Sequence, residues 1–218
     1  MSKAQHVERL KQAILSYDAQ AAKKAAEAAV KAKVDLVEAI EKGLAAGIRE
    51  VGEKFHRYEI YLPHVVLAAD AMTAAMEVLE KALPKEKAMQ LRRGTIVIGT
   101  VEGDLHDVGK NVVAMMLKSA GFDVHDLGKD IKTDTFVEKA KDLNADIIMA
   151  SSLMTTTRPY QRELVQELDR LGLRKKFKVM VGGGPVTKEW ADQIGADGWG
   201  KDATEAVKEA TRLLGRAR

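Results

Sequence analysis

The second half of this chain contains five short apolar segments separated by helical stretches, and this alternation limits the possible folds more than any other feature. The segments are GTIVIGT, FDVHDL, ADIIMASS, FKVMVGG and ADGWG, and they begin at Gly94, Phe122, Ala145, Phe177 and Ala196. Apolar runs that alternate with helices are typical of a parallel sheet covered by helices on both faces. Five such strands predict a doubly wound, flavodoxin-like α/β domain with the strand order 2-1-3-4-5.

The first part of the chain shows helical spacing of its apolar residues instead, with no strand-like alternation. Two early helices are predicted, around Val7–Tyr17 and Ala19–Ala32. A third helix is predicted from an apolar stripe after Val34, made of Val37, Ile40, Leu44, Ile48, Val51 and Phe55. A fourth begins near Pro63, because proline suits the first turn of a helix, and its predicted stripe is Val66, Ala69, Met72, Met76 and Leu79. Four such helices predict a bundle.

The segment LPKEKAMQLRR, which contains Pro84, is the predicted linker between these regions. We therefore expect a helical domain over residues 1–88 and an α/β domain over residues 89–218. A chain of 218 residues with 46% hydrophobic content is long enough for two modules with buried cores.

Charge and composition exclude several classes of protein and site. The 35 basic and 32 acidic residues are interspersed along the predicted helices, which argues against nucleic acid or an anionic membrane as the main partner. Cysteine is absent, so disulfides and thiolate metal sites are impossible. The N-terminal sequence lacks the apolar core of a signal peptide, and no apolar run approaches membrane-spanning length. We expect a cytoplasmic protein.

A motif with metal-binding chemistry follows the first predicted strand, in the sequence EGDLHDVGKN from Glu102 to Asn111. Asp104 precedes His106 by two residues, so its carboxylate can reach the imidazole, fix the tautomer and make the other ring nitrogen a better metal ligand. Gly103 and Gly109 allow a bulky ligand to approach the backbone. The other histidines lack this context, and His125 lies on the second predicted strand.

Three further loops follow strands three to five and are predicted to lie at the same edge of the sheet. They are the hydroxyl-rich SSLMTTT from Ser151 to Thr157, the GGGP turn from Gly182 to Pro185, and the GKD segment from Gly200 to Asp202. In an open α/β sheet, ligands bind outside the carboxyl ends of the strands, at the switch point between strands one and three. The sequence lacks a GxGxxG turn after strand one and a Walker lysine motif, so nucleotide-binding alternatives are weak.

Together these residues resemble a known family. The GDLHDVGKN stretch matches the DxHxxG signature of cobalamin-binding domains, and SSLMTTT and GGG stand where that family has its serine-threonine and double-glycine motifs. The chain resembles, over nearly its whole length, the corrinoid proteins of systems that demethylate methylamines, betaines, methanol or methoxylated aromatics. It is also similar to the cobalamin-binding portion of methionine synthase.

The resemblance implies cobalamin as the cofactor, as methylcobalamin, cob(I)alamin or hydroxocobalamin, with His106 as the lower axial ligand of cobalt. It implies that Asp104 and Thr157 form a relay with His106, and that the nucleotide tail lies in a crevice. The implied cofactor-binding residues of the α/β domain are Gly103, Asp104, His106, Asp107, Val108, Gly109, Ser151, Leu153, Thr155, Gly182 and Gly183. The implied capping residues of the helical domain, over the upper face of the corrin, are Phe55, Tyr61 and Leu62.

The function that the resemblance implies is that of a methyl carrier without catalytic activity of its own. Its implied partners are a substrate-specific methyltransferase, an acceptor methyltransferase acting on a thiol or tetrahydrofolate, and a reductive activation protein. Two alternatives stay open at this point. A cobalamin-dependent sensor would share both modules but add a DNA-binding domain, and the small subunit of an adenosylcobalamin mutase would normally lack the helical bundle.

Overall fold

The computed structural model describes residues 1–83 and 93–215. The chain divides into two compact units, one formed by the N-terminal helices and one that begins at Arg93 and contains the sheet. The predicted domain boundary between residues 88 and 89 lies outside the described residues, as does most of the predicted linker. The domain boundary and the linker therefore stay predictions.

The helical unit consists of α1 (Lys3–Leu15), α2 (Ala19–Lys31), α3 (Leu36–Glu38), a π-helical turn (Ala39–Leu44), α4 (Ala45–His56) and α5 (Leu62–Ala82). Helix α1 begins four residues before the predicted Val7 because Ser2 caps it and exchanges hydrogen bonds with Gln5. The third predicted helix is present as α3, the π-helical turn and α4 in direct succession. Single π-helical turns within helices are rare, and the apolar spacing of the sequence did not indicate this one.

The buried face of α5 differs from the predicted stripe. The prediction placed Val66 and Met76 inward, but both are only half-buried. The buried positions are Val65, Ala68, Ala69, Ala71, Met72, Ala75 and Leu79. Because α5 is apolar on most of its circumference, its spacing does not single out one face. By length and hydropathy alone α5 could cross a membrane, and 39% of its most apolar window is buried inside the protein.

The α/β unit consists of β1 (Thr95–Thr100), α6 (Val108–Ser119), β2 (Asp123–Asp126), α7 (Thr133–Asp142), β3 (Ile147–Ser151), α8 (Pro159–Arg170), β4 (Lys178–Gly182), α9 (Lys188–Ile194), β5 (Gly198–Trp199) and α10 (Ala203–Leu213). All strand pairs are parallel and the order is β2-β1-β3-β4-β5, which confirms the predicted fold class and strand order.

The register of the sheet brings the predicted loops together. Thr100 at the end of β1 is paired with Ser151 at the end of β3, which is paired with Gly182 at the end of β4. The strand centres are fully buried, as expected for a sheet covered on both faces, with Ile96, Val97, Ile147 and Ile148 at 0% exposure. The loops that leave these strands therefore meet at one edge.

Candidate functional site

The loop that follows β1 holds His106 against the buried carboxylate of Asp104. Asp104 Oδ1 lies 2.7 Å from His106 Nδ1 and accepts a hydrogen bond of 3.0 Å from the His106 backbone N–H. The Asp104 side chain is fully buried, whereas the His106 side chain is 54% exposed. Nδ1 is therefore engaged, while Nε2 has no hydrogen-bond partner among the residues that the structure describes.

The second oxygen of Asp104 is held by the loop that follows β3. Asp104 Oδ2 accepts hydrogen bonds from the Thr157 hydroxyl at 2.9 Å and from the Leu153 N–H at 2.7 Å, and a longer one from the Met154 N–H at 3.3 Å. The structure thus brings together His106, Asp104 and Thr157, the three members of the predicted relay.

This environment keeps Asp104 ionised. Burial alone raises the pKa of the Asp104 carboxyl, but the hydrogen bonds donated by His106, Leu153 and Thr157 outweigh it and lower the pKa to about 2. The carboxylate is therefore a fixed negative charge beside the imidazole at neutral pH.

Replacement of Asp104 by asparagine is expected to remove a pH-dependent part of the protein's stability. Because the folded-state pKa of Asp104 lies below its unfolded-state value, the carboxylate stabilises the fold above about pH 4, and this contribution is lost as the pH falls towards 2. We expect roughly 2 kcal/mol of difference in the free energy of unfolding between pH 7 and pH 2 to disappear in Asp104→Asn.

Urea unfolding of the apo protein across this pH range measures the effect. Asp197→Asn is a matched positive control. The pKa of Asp197 is also lowered, because hydrogen bonds from Val179 and Arg174 outweigh the effect of its burial. Asp197 lies far along the chain from His106. The assignment is wrong if Asp104→Asn and the wild type lose stability in parallel as the pH falls.

Three residues of this network were not among the predicted site residues, although Ser152 lies in the predicted hydroxyl-rich loop. The hydroxyl of Thr100, a fully buried residue, donates a 2.9 Å hydrogen bond to the His106 carbonyl oxygen. Ser152, also fully buried, has its hydroxyl 2.8 Å from that of Thr157. Gln161 Nε2 donates to the carbonyl oxygens of Ala150 at 2.9 Å and Gly182 at 3.0 Å, and so braces the ends of β3 and β4. The sequence carried a signal for two of them: Thr100 and Ser152 are polar residues at or directly after the end of an apolar strand.

The loop after β4 packs tightly against the loop after β3. Gly183 has a backbone φ of +119°, and a Cβ built on it would lie 1.8 Å from the Ser152 carbonyl oxygen. Only glycine fits this position, because both the conformation and the space exclude a side chain. The predicted residues Gly182 and Gly183 therefore stand directly beside the serine-threonine loop, in which Ser151 is half-buried and Thr155 is exposed.

The surface around His106 suits a large, flat, partly apolar ligand. Leu105 in the loop after β1, Val108 at the start of α6 and Leu153 in the loop after β3 are 63%, 67% and 48% exposed. A Cβ on Gly109 would meet nothing within 4 Å, so open space lies in front of that backbone. Half-buried Asp107 completes the loop, and its carbonyl accepts from the Asn111 N–H at 2.8 Å. An imidazole with an engaged Nδ1, near exposed apolar side chains, would suit a large, partly apolar cofactor that carries a metal.

Within the described residues, no three side chains of His, Cys, Asp or Glu converge on a common metal position. The His106 imidazole would therefore suit a cofactor whose metal needs a single nitrogen ligand from the protein. His125 pairs with Asp123 at 3.3 Å on β2, with the same two-residue spacing as the Asp104–His106 pair, but outside the loops that contain the site.

The three predicted capping residues lie around the junction of α4 and α5 in the helical unit. Phe55 is half-buried in the last turn of α4, and Leu62, also half-buried, begins α5. Tyr61 precedes α5 and is 71% exposed. Their contact with a cofactor stays a prediction.

The whole described part of the chain is similar to known proteins. Two family profiles described as B12 binding domains match residues 94–208 and 7–80. The chain is 51% identical to dimethylamine corrinoid protein 1 of Methanosarcina acetivorans over 98% of this chain and 100% of that protein. It is 47% identical to trimethylamine corrinoid protein 1 of the same organism over 98% and 99%.

A solved structure of a cobalamin-dependent system is also similar to this chain. The chain matches the methanol:cobalamin methyltransferase complex MtaBC of Methanosarcina barkeri with a TM-score of 0.83 and 28% identity, over 99% of this chain and 82% of the matched one. The family profiles cover both units, and the relatives match almost end to end. This chain therefore belongs to the B12-binding corrinoid protein family, with a corrinoid as its cofactor.

Proposed function

We propose that this chain carries a methyl group on the cobalt of bound cobalamin, from a substrate-specific methyltransferase to a second one that acts on a thiol or tetrahydrofolate. The observation that carries the proposal is the half-exposed His106 with its Nδ1 held by ionised Asp104. The relatives named for dimethylamine and trimethylamine support a methylated amine as the methyl source. The methanol methyltransferase complex supports a methyltransferase as the partner.

Cobalamin, when bound, supplies a cobalt centre that can take up and release a methyl group. His106 would hold that centre through Nε2, because Nδ1 is committed to Asp104. Because its low pKa keeps Asp104 ionised, its carboxylate accepts from Nδ1 and so favours the tautomer that leaves Nε2 free for a metal. Thr157 orients Asp104 by donating to its other oxygen.

The remaining assignments extend this proposal. We assign the crevice between the loops after β1, β3 and β4, including Ser151, Thr155 and Gly182, to the nucleotide tail. We assign Phe55, Tyr61 and Leu62 to shielding the upper face of the corrin. A reductive activation protein and a cytoplasmic location belong to the same proposal.

The test is methylation of the loaded protein with and without a partner. Protein reconstituted with hydroxocobalamin and reduced with titanium(III) citrate is mixed with dimethylamine or trimethylamine, alone or with the corresponding methyltransferase of Methanosarcina acetivorans. We expect methylcobalamin, followed by absorbance, to form at least about 100-fold faster with the methyltransferase, because the partner positions the amine.

Two outcomes would contradict the proposal. Equal methylation rates without any methyltransferase would make the chain an enzyme in its own right. Tight binding of cobalamin without methylation by any partner and amine would favour the sensor alternative. Methanol is the matched control substrate, since it tests whether a methylated amine is the donor.

A further inference from the structure

The loop that follows β2 contacts the His106 loop through Asp130, a residue that the proposed function does not use. Asp130 Oδ1 accepts a 2.7 Å hydrogen bond from the Gly103 N–H. The Asp130 backbone N–H donates a 3.1 Å hydrogen bond to the Asp104 carbonyl oxygen. Asp130 therefore holds the backbone of residues 103 and 104 at both ends.

The backbone of Asp130 is in an uncommon conformation. Its φ is +57°, in the left-handed region that non-glycine residues seldom occupy, although aspartate and asparagine tolerate it better than most. Such a conformation persists where surrounding contacts impose it, and these positions concentrate at functional sites. Here it allows the side chain and the N–H of one residue to reach successive residues of the neighbouring loop.

The rest of the loop after β2 is held by hydrogen bonds to β1 and α6, so Asp130 belongs to a fixed segment. The Thr100 N–H donates to the Gly128 carbonyl at 3.0 Å, and the Ile131 N–H donates to the Thr100 carbonyl at 3.0 Å. At the start of this loop the buried Lys110 ammonium is hydrogen-bonded to the Asp126 carboxylate. The loop thus extends the pairing of β2 with β1 beyond the ends of both strands.

We propose that Asp130 is a positioning residue that fixes the Gly103–Asp104 backbone and thereby the direction in which His106 is presented. Asp104 has two sets of contacts, one through its side chain to Leu153 and Thr157 and one through its backbone to Asp130. Without the second set, the Gly103 N–H and the Asp104 carbonyl lose their partners. The hydrogen bond from the Asp104 N–H to the Val101 carbonyl at 3.2 Å is then the remaining backbone restraint at these two residues among those described, while the carboxylate stays anchored. The importance of this for cobalt ligation depends on the proposed function.

Three variants separate the hydrogen bond from the backbone conformation. Asp130→Gly keeps access to the left-handed conformation but removes the acceptor for the Gly103 N–H. Asp130→Asn keeps both, since an amide oxygen accepts and asparagine tolerates this conformation, but it removes the charge. Asp130→Ala also lacks the acceptor, and it replaces Asp130→Gly in the measurements if the glycine variant does not fold. Asn144→Gly is the matched control, since Asn144 also has a positive φ, of +47°, after α7 in the same unit.

The first measurement uses the apo protein and needs no cofactor. We expect amide hydrogen exchange of Gly103, followed by NMR, to be about three- to tenfold faster in Asp130→Gly than in the wild type. Asp130→Asn is expected to restore the wild-type rate, and Asn144→Gly to leave it unchanged. Unchanged Gly103 exchange in Asp130→Gly would overturn the proposal, as would an asparagine variant that behaves like the glycine variant.

The second measurement is the spectrum of protein loaded with hydroxocobalamin and reduced to the Co(II) state at pH 7. We expect the ratio of nitrogen-ligated to nitrogen-free cobalt in the electron paramagnetic resonance spectrum to fall about three- to tenfold in Asp130→Gly. Asp130→Asn should restore it, and an unaltered ratio in Asp130→Gly would refute the positioning role. Failure of the wild type to bind cobalamin would instead refute the proposed function, while Gly103 exchange would still decide the role of Asp130.

Discussion

His106→Ala is expected to abolish nitrogen ligation of cobalt in the cobalamin-loaded protein. The imidazole has one nitrogen engaged by Asp104 at 2.7 Å, and no described residue hydrogen-bonds the other. Loss of an outer-shell partner of a metal ligand typically costs about 10- to 100-fold in affinity. Loss of the ligand itself should lower the affinity for hydroxocobalamin by at least that factor.

The measurement is the electron paramagnetic resonance spectrum of the Co(II) form, in which an axial nitrogen splits the cobalt lines. Removal of the imidazole takes one hydrogen-bond partner from the buried Asp104 carboxylate, whose Oδ1 keeps the backbone N–H of residue 106, so we expect the apo protein to lose about 1–2 kcal/mol and to stay folded. A complete loss of ligation in a variant that is still folded would therefore identify a ligand and not a structural residue.

His125→Ala is the matched control for this experiment. His125 follows Asp123 by two residues, as His106 follows Asp104, and its Nε2 lies 3.3 Å from the Asp123 carboxylate. It belongs to β2 and not to a loop at the carboxyl edge of the sheet. The His125 variant should keep the nitrogen splitting. Retention of the splitting in His106→Ala, or its loss in His125→Ala, would show that the axial ligand is assigned to the wrong histidine.

The sheet was predictable because buried parallel strands are continuous apolar runs between helices. All five strands lie within the predicted segments, and the order β2-β1-β3-β4-β5 agrees with the one expected for strands that alternate with helices. The inward face of α5 was not predictable in the same way. Where alanine, valine and methionine occur on most sides of a helix, packing decides which of Val65 and Val66 is buried.

The site was predictable where its contacts are local in sequence. Asp104 and His106 are two residues apart, so their contact follows from the motif alone. Thr157 lies 53 residues from Asp104 in the chain, and its position was implied only by the resemblance to cobalamin-binding proteins. The contacts of Ser152 and Asp130 depend on how the loops after β2 and β3 pack, which no spacing in the sequence encodes.

Gly183→Ala is expected to cause the largest loss of stability among the substitutions considered. The added Cβ would lie 1.8 Å from the Ser152 carbonyl oxygen and 2.6 Å from its carbonyl carbon, so the backbone of one loop has to move. A φ of +119° is unfavourable for any residue with a side chain. We expect a decrease of about 3 kcal/mol or more in the free energy of unfolding, measured with urea.

Because Ser152 contacts Thr157 at 2.8 Å, a shift of this loop should also disturb the hydrogen bonds to Asp104. Cobalamin binding is therefore expected to be lost together with stability in Gly183→Ala. Wild-type stability in this variant would mean that the loops after β3 and β4 are not packed as the structure has them.

Gly109→Ala provides the comparison that separates folding from binding. An added Cβ at Gly109 meets nothing within 4 Å, and the residue lies in the first turn of α6. The apo protein should keep its stability or gain about 0.5–1 kcal/mol, as glycine-to-alanine changes in helices do. If the corrin lies against this backbone, its affinity should fall while stability does not. Unchanged cobalamin affinity in Gly109→Ala would remove Gly109 from the cofactor site. Loss of affinity without loss of stability in Gly109→Ala, together with loss of both in Gly183→Ala, would locate the corrin at the loop after β1.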